Sequence, residues 1–161
     1  VATKIRDTDR GFQALKARIG KAAAARLSVG IHEAEGSVSD ESGEATVLDV
    51  AAFNEFGGPD ENPPRRSFIA DWADENSDEH KELLRRSQAA VIKGTLPSTT
   101  VALDRLGLRF VGDVQKRIIS GIEPENAEST IAQKGSSTPL INHSQLLGSI
   151  THQVQEGSAD K

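Results

Sequence analysis

The chain predicts an α+β domain: a small antiparallel β-sheet packed against a long central helix and shorter helices, with long polar loops. Three observations carry that prediction. Leu103, Leu106, Phe110, Val114 and Ile118 step by three and four, an unbroken apolar stripe along one long helix. Arg26–His32 and Ser149–Val154 alternate apolar and polar residues, as half-buried strands do. Polar, Ser- and Gly-rich runs at 33–46 and 123–138 have almost nothing to bury. With 161 residues the chain can build one real core and not two comfortable ones. A single domain over 1–161 is expected, with a frayed C-terminal tail at 156–161.

Each element follows from its residues. Asp9 to Ala25 reads as a helix with Thr8 as N-cap; Phe12, Leu15, Ile19 and Ala22 fall at helical spacing among Lys16, Arg18 and Lys21. In the first strand Leu27, Val29 and Ile31 point one way and Ser28, Gly30 and His32 the other. Val47 to Phe56 is a short helix, with Leu48, Ala51, Ala52 and Phe56 expected on one face and Val47 and Phe53 flanking it. Gly57 sits where a positive-φ stop is wanted. Pro59, Pro63 and Pro64 then forbid regular structure. Ser67 to Trp72 fits either a short strand or the first turn of a helix, with Phe68 and Trp72 as core anchors. Asp78 to Lys93 is a helix, acidic at its start and basic towards its end. Ser98 caps the longest helix, which runs to about Ile119, with Val101, Leu108 and Val111 in a second stripe. Gly107 and Gly112 within it cost about 1 kcal/mol each against Ala unless another element packs closely there. Gly121 is the expected stop, Ser144 to Leu147 a short helical turn, and Ser149 to Val154 the closing strand.

Composition removes several function classes. Cysteine is absent, which excludes disulfides and thiolate metal sites. No apolar run approaches the ~20 residues of a membrane span. The net charge of −5 is unevenly spread: residues 1–30 carry seven Lys/Arg against two Asp/Glu, and residues 31–80 carry two against fourteen. Such acidity argues against indiscriminate DNA binding, which needs clustered cations against phosphate. Blocks of opposite sign suit pairing of one copy with the next; solvated helix faces are the plainer account.

No catalytic set is legible. His32, His80, His143 and His152 are scattered, none stands in a ligand pair, and His32 and His152 fall on the polar side of the two strands. Gly57-Gly58 follows a helix rather than leading into one, the wrong orientation for phosphate. No catalytic, cofactor or metal residues are therefore expected, and the chain is not expected to be an enzyme. Glu55, Arg65 and Arg66 are the charges most worth weighing. One of the arginines is expected to grip a neighbour's carboxylate. Glu55 is expected to form an internal ion pair with an Arg that pins the proline loop back on its helix.

Three blocks carry a resemblance. Leu27-Ser28-Val29-Gly30-Ile31 resembles the Val-Gly-Ile strand that opens many tailed-bacteriophage neck and tail-completion (head–tail joining) proteins of the virion-morphogenesis type. Ala52-Phe53-Asn54-Glu55-Phe56-Gly57 with Pro64-Arg65-Arg66-Ser67-Phe68-Ile69 is similar to that family's middle block, with Ser67 where the family usually has Pro. Pro139-Leu140-Ile141 and Gln145-Leu146-Leu147-Gly148-Ser149-Ile150 are similar to its closing block, with Asn142, His143 and Ser144 replacing the usual Asp-Thr-Gly.

The resemblance implies a structural virion protein, assembled in the bacterial host cytoplasm and located in the neck or tail. It implies a homo-oligomeric ring, six-fold favoured and twelve-fold possible, that joins the head connector to the tail. Neighbouring connector or head-completion and tail terminator or tail-tube proteins would be its partners. DNA would pass through the lumen without sequence-specific binding, and no membrane is involved. The motif residues implied at interfaces are Asn54, Glu55, Phe56, Gly57, Pro64, Arg65, Arg66, Phe68, Pro139, Leu140 and Leu146. A tail terminator ring subunit is the alternative within that class. A small ligand-binding or hydrolase domain with an unrecognised site is the alternative outside it.

Overall fold

The structure is a computed structural model that describes residues 9–39, 45–59, 63–124 and 144–156. Among them the order is α1 (Phe12–Ala24), β1 (Arg26–Ile31), α2 (Glu33–Gly36), α3 (Val47–Phe56), α4 (Ala70–Glu75), α5 (Ser77–Ile92), α6 (Thr99–Ser120), α7 (Ser144–Ser149) and β2 (Ile150–Gln155). The class is α+β, with the two-stranded antiparallel sheet packed on helices. None of the described helices is long and apolar enough to cross a membrane.

The strands pair from Arg26 opposite Gln155 to Ile31 opposite Ile150. Cross-strand partners share a face. Leu27, Val29 and Ile31 therefore lie with Val154, His152 and Ile150, and that face covers α6. His152 was expected on the polar side, and the structure corrects this. Its ring lies over Gly107 of α6, where a β-carbon would come within 2.2 Å of it, and its Nε2 meets Asp104 Oδ1 at 2.8 Å. Gly107 is the gap that admits an imidazole to the apolar face; the close packing that could excuse that glycine is this ring.

Helix α6 is the axis of the core. Leu103, Leu106, Phe110, Val114 and Ile118 are all buried, as the stripe predicts, while Leu108 of the expected second stripe is exposed. Ser98 caps the helix by accepting the Val101 N–H at 3.2 Å, and Gly121 ends it at φ 91°. Trp72 meets Phe110 edge-on at 5.6 Å, and His80 lies 4.5 Å from both rings. Phe68 and Leu146 close the other end of the core, fully buried.

Three further details are local. Thr8 lies outside the described residues; Asp9 holds the start of α1, its carboxylate accepting from the Gly11 and Phe12 amides at 2.9 and 2.7 Å. Residues 33–36 of the expected polar loop form α2, and Ser39 bridges Thr46 across the rest. Ser67 to Trp72 resolves as the lead-in to a helix, α4.

Helix α3 has the expected bounds and buries Ala51 as expected, but it is turned so that Val47 and Glu55, not Leu48 and Phe56, share its inward face. Val47, Ala51 and Glu55 are buried, at positions i, i+4 and i+8, while Leu48, Phe53 and Phe56 are exposed. A glutamate thus replaces an apolar residue in the buried row. How it is tolerated is the key to the middle block.

Candidate functional site

The middle block begins with a well-held helix. Thr46 Oγ1 accepts the Asp49 N–H at 3.1 Å while Asp49 Oδ2 accepts the Thr46 N–H at 3.0 Å, a reciprocal capping box. The Thr46 hydroxyl, which also donates to Asp49 Oδ2 at 2.6 Å, and the Thr46 N–H hold the Asp49 carboxyl below its ordinary value. At the other end the Gly57 N–H donates to Phe53 O at 2.9 Å, and Gly57 takes φ 87°, a conformation L side chains rarely adopt. The chain then folds straight back. The Gly58 N–H donates to Pro63 O at 2.8 Å and the Arg66 N–H to Asn54 O at 2.6 Å.

That return brings four donors onto one carboxylate. Glu55 Oε1 accepts from Ser67 Oγ at 2.6 Å and from the Ala70 N–H at 2.9 Å. Glu55 Oε2 accepts from the Phe68 N–H at 2.9 Å and the Ile69 N–H at 3.1 Å. Ser67 Oγ in turn accepts the Asp71 N–H at 3.0 Å. A helix leaves its first amides without intrahelical partners. Here the carboxylate of one helix and a serine together satisfy the start of α4, and the negative charge sits at the positive end of that helix. Glu55 is only 8% exposed. Burial pushes its carboxyl up, but the hydrogen bonds from Ser67, Ala70, Ile69 and Phe68 together outweigh it and hold the group below its ordinary value.

The expected Glu55–Arg ion pair is therefore corrected. Among the described residues no arginine pairs with Glu55; the proline loop is pinned by its own amides and by Ser67. Arg65 pairs instead with Asp71 at 2.6 Å, on the surface. Arg66 is buried, and its Nε donates to Pro124 O at 2.7 Å. Arg117 reaches both carboxylate oxygens of Glu75, at 2.5 and 3.0 Å, and ties α4 to the end of α6.

The residues implied at interfaces thus separate by depth. Glu55, Arg66, Phe68 and Leu146 are buried; Asn54, Gly57 and Pro64 are half-buried; Phe56 and Arg65 are exposed. Pro139 and Leu140 lie outside the described residues. Ser67 is the residue that reasoning from the sequence passed over. Its signal was present: a serine a few residues before an acidic helical start is a cap signature.

The outward side of the block carries large apolar residues. Leu48, Phe53 and Phe56 line the outer face of α3, Phe56 being 76% exposed. A second exposed apolar row lies on α1, formed by Phe12, Leu15 and Ile19.

His32 is held by Ser28 Oγ and Thr151 Oγ1 at 3.0 and 2.8 Å, bridging the strands. No group of three or more His, Cys, Asp or Glu stands ready for a metal among the described residues. A cavity of about 480 Å³ lies among α1, β1, α4, α5 and α6, walled by Leu27, Trp72, Leu84, Leu103 and Phe110. Among the described residues His80 is the one ionisable side chain lining it, and burial pushes its imidazole down. His143 lies outside the described residues.

In comparisons with protein-family models, curated proteins and solved structures, none matches this chain.

Proposed function

We propose that this chain is a structural virion protein of a tailed bacteriophage, a subunit of a homo-oligomeric ring at the head–tail interface. The ring joins the head connector to the tail and leaves a lumen for DNA. The observation that carries the reading is the ordered set of blocks Leu27–Ile31, Ala52–Ile69 and Pro139–Ile150, which resembles that of neck and tail-completion proteins. The geometry supports it in one respect. The middle block turns Glu55 and Ser67 inward as scaffold and presents Phe53 and Phe56 outward. That division of labour suits a subunit that must hold a stiff shape while presenting contacts. A catalytic domain would turn its polar groups towards a cleft.

A six-fold ring is the favoured form and a twelve-fold ring the alternative, with a tail terminator ring as the nearest related role. Neighbouring connector and tail-tube proteins are the proposed partners, and DNA passes without sequence-specific contact. The cavity beside Trp72 favours a second reading, a small ligand-binding domain, since its size and apolar lining fall in the range of ligand pockets. A lone imidazole leaves that pocket without an acid–base pair. Negative-stain microscopy and mass photometry of the purified chain decide the matter. Closed rings of uniform size support the proposal. A monomer at every concentration, both alone and with connector and tail-tube proteins present, would overturn it.

A further inference from the structure

We infer that copies of this chain associate head to tail, with α1 of one copy laid on the outer face of α3 of the next. The inference deepens the ring proposal and rests on it only in expecting the series of contacts to close.

Helix α1 is an arm rather than a core element. Every residue from Asp9 to Gly20 is exposed, and the half-buried positions described within α1, Ala22 and Ala24, lie in its last turn. A helix of 13 residues is marginal in water on propensity alone, so an arm of this kind gains from a partner for its apolar row. That row is Phe12, Leu15 and Ile19, at spacings of three and four, so the three side chains share one face. Lys16 and Arg18 flank the row on its two sides.

The outer face of α3 offers the complement. Leu48, Phe53 and Phe56 are exposed there on one side of the helix, with Asp49 among them. Helix α2 packs beside α3 and adds the exposed Glu33. One apolar row is thus bordered by cations and the other by anions, the arrangement that orients docking and sets its register.

Position in the fold selects the mode of contact. Helix α1 leads directly into the start of β1, and β1 leads through α2 to α3. Arg18 of α1 lines a pocket with Pro97 to Thr100 at the start of α6 and Glu156 after β2, whereas α3 packs on α7, which leads into the start of β2; the six-residue strands, about 20 Å long, separate these two ends of the domain. Two different, complementary patches at opposite ends make a heterologous contact, which propagates and closes into a ring where the rotation allows. An α1-to-α1 contact would set Lys16 and Arg18 against their own copies, and an α3-to-α3 contact would do the same with Asp49.

Because cysteine is absent from the chain, introduced thiols report position without background. The test compares L15C, F53C and the L15C/F53C double variant under mild oxidation, alongside mass photometry of the wild type and of F12D/I19D. The inference expects a ladder of cross-linked dimers, trimers and higher species from the double variant, and a cross-linked dimer only when the two single variants are mixed. It expects F12D/I19D to lose assembly at least tenfold in concentration while its melting temperature is unchanged, since neither side chain is buried within its own copy. A dimer from L15C alone or from F53C alone would overturn it. Discrete rings that persist in F12D/I19D, or that give no α1–α3 cross-link, would overturn it while leaving the ring proposal standing. An open-ended ladder without closed rings would support the contact and overturn the ring.

Discussion

Removing the Glu55 carboxylate tests the account of the middle block most directly. In Glu55→Ala four donors lose their acceptor: Ser67 Oγ and the amides of Phe68, Ile69 and Ala70. Their surroundings differ. Ser67 and Phe68 are buried, whereas Ile69 is half-buried and Ala70 exposed, so water can reach the last two. Charging two orphaned donors at about 1–3 kcal/mol each, and little for the others, puts the loss at about 2–6 kcal/mol. Glu55→Gln is milder. Its carbonyl oxygen can keep the Phe68 and Ile69 amides, and its NH₂ can donate to Ser67 Oγ, leaving the exposed Ala70 amide to water. That variant should lose about 1–2 kcal/mol.

Wild type and either variant also separate in pH. The Glu55 carboxyl is held below its ordinary value in the folded chain. The unfolded state therefore binds a proton first as pH falls. The contribution of the charge is complete above the ordinary carboxylate range of about 4 and disappears as pH falls through the folded value below it. Urea denaturation followed by circular dichroism, from pH 7 to pH 3, measures this. The gap between wild type and Glu55→Gln should be constant above pH 5 and narrow below pH 4. If Glu55→Ala costs under about 1 kcal/mol at pH 7, the carboxylate is not what holds α4 in place, and the reasoning fails.

Three other outcomes follow from the same geometry. Ser67→Ala should destabilise by about 1–2 kcal/mol in urea, and less when made in Glu55→Ala than in wild type, since the two side chains share one network. Gly107→Ala should destabilise by about 1–3 kcal/mol despite helix propensity, because its methyl would overlap the His152 ring, whereas Gly112→Ala, with open space at that position, should stabilise by up to about 1 kcal/mol. His80 is pushed down by burial, with Arg109 adding to that and Glu79 and Asp113 opposing it; as pH drops from 7 through the ordinary histidine value the unfolded state alone takes the proton, so wild type should lose stability there and His80→Phe should lose less, parallel curves refuting it.

What the sequence made legible was local, and what it hid was long-range. The bounds of α3, the Ser98 cap of α6 and the stripe from Leu103 to Ile118 each depend on residues within a turn or two, and each appears as expected. The face of α3 did not. Around Ala51, which is buried as expected, Leu48, Ala52 and Phe56 outweigh Val47 and Glu55 in apolar content, so a count by helical face turns the helix away from its true inward side. Burying a carboxylate is unfavourable unless its donors are supplied. Those donors lie 12 to 15 positions away, beyond a proline loop whose path no local pattern encodes. His152 misled in the same manner. Its place on the apolar face depends on a gap at Gly107, a residue on a different element.

The mistaken faces are informative for the same physical reason. A row of apolar side chains that reads as core and is found in water has not been used for folding. Leu48, Phe53 and Phe56 are such a row, and Phe12, Leu15 and Ile19 are another. Single exposed apolar residues are ordinary on any surface. Two aligned rows are not ordinary, least of all in a chain with an aromatic content of 4% that spends three of its five phenylalanines, Phe12, Phe53 and Phe56, outside its core. Those three would add more to stability buried than exposed, at roughly 1.5–3 kcal/mol each. Their position makes sense if burial is completed by another surface. Glu55 then has a second consequence. By fixing the inward side of α3 with hydrogen bonds instead of apolar contacts, it lets that helix keep its larger apolar side chains for the outside.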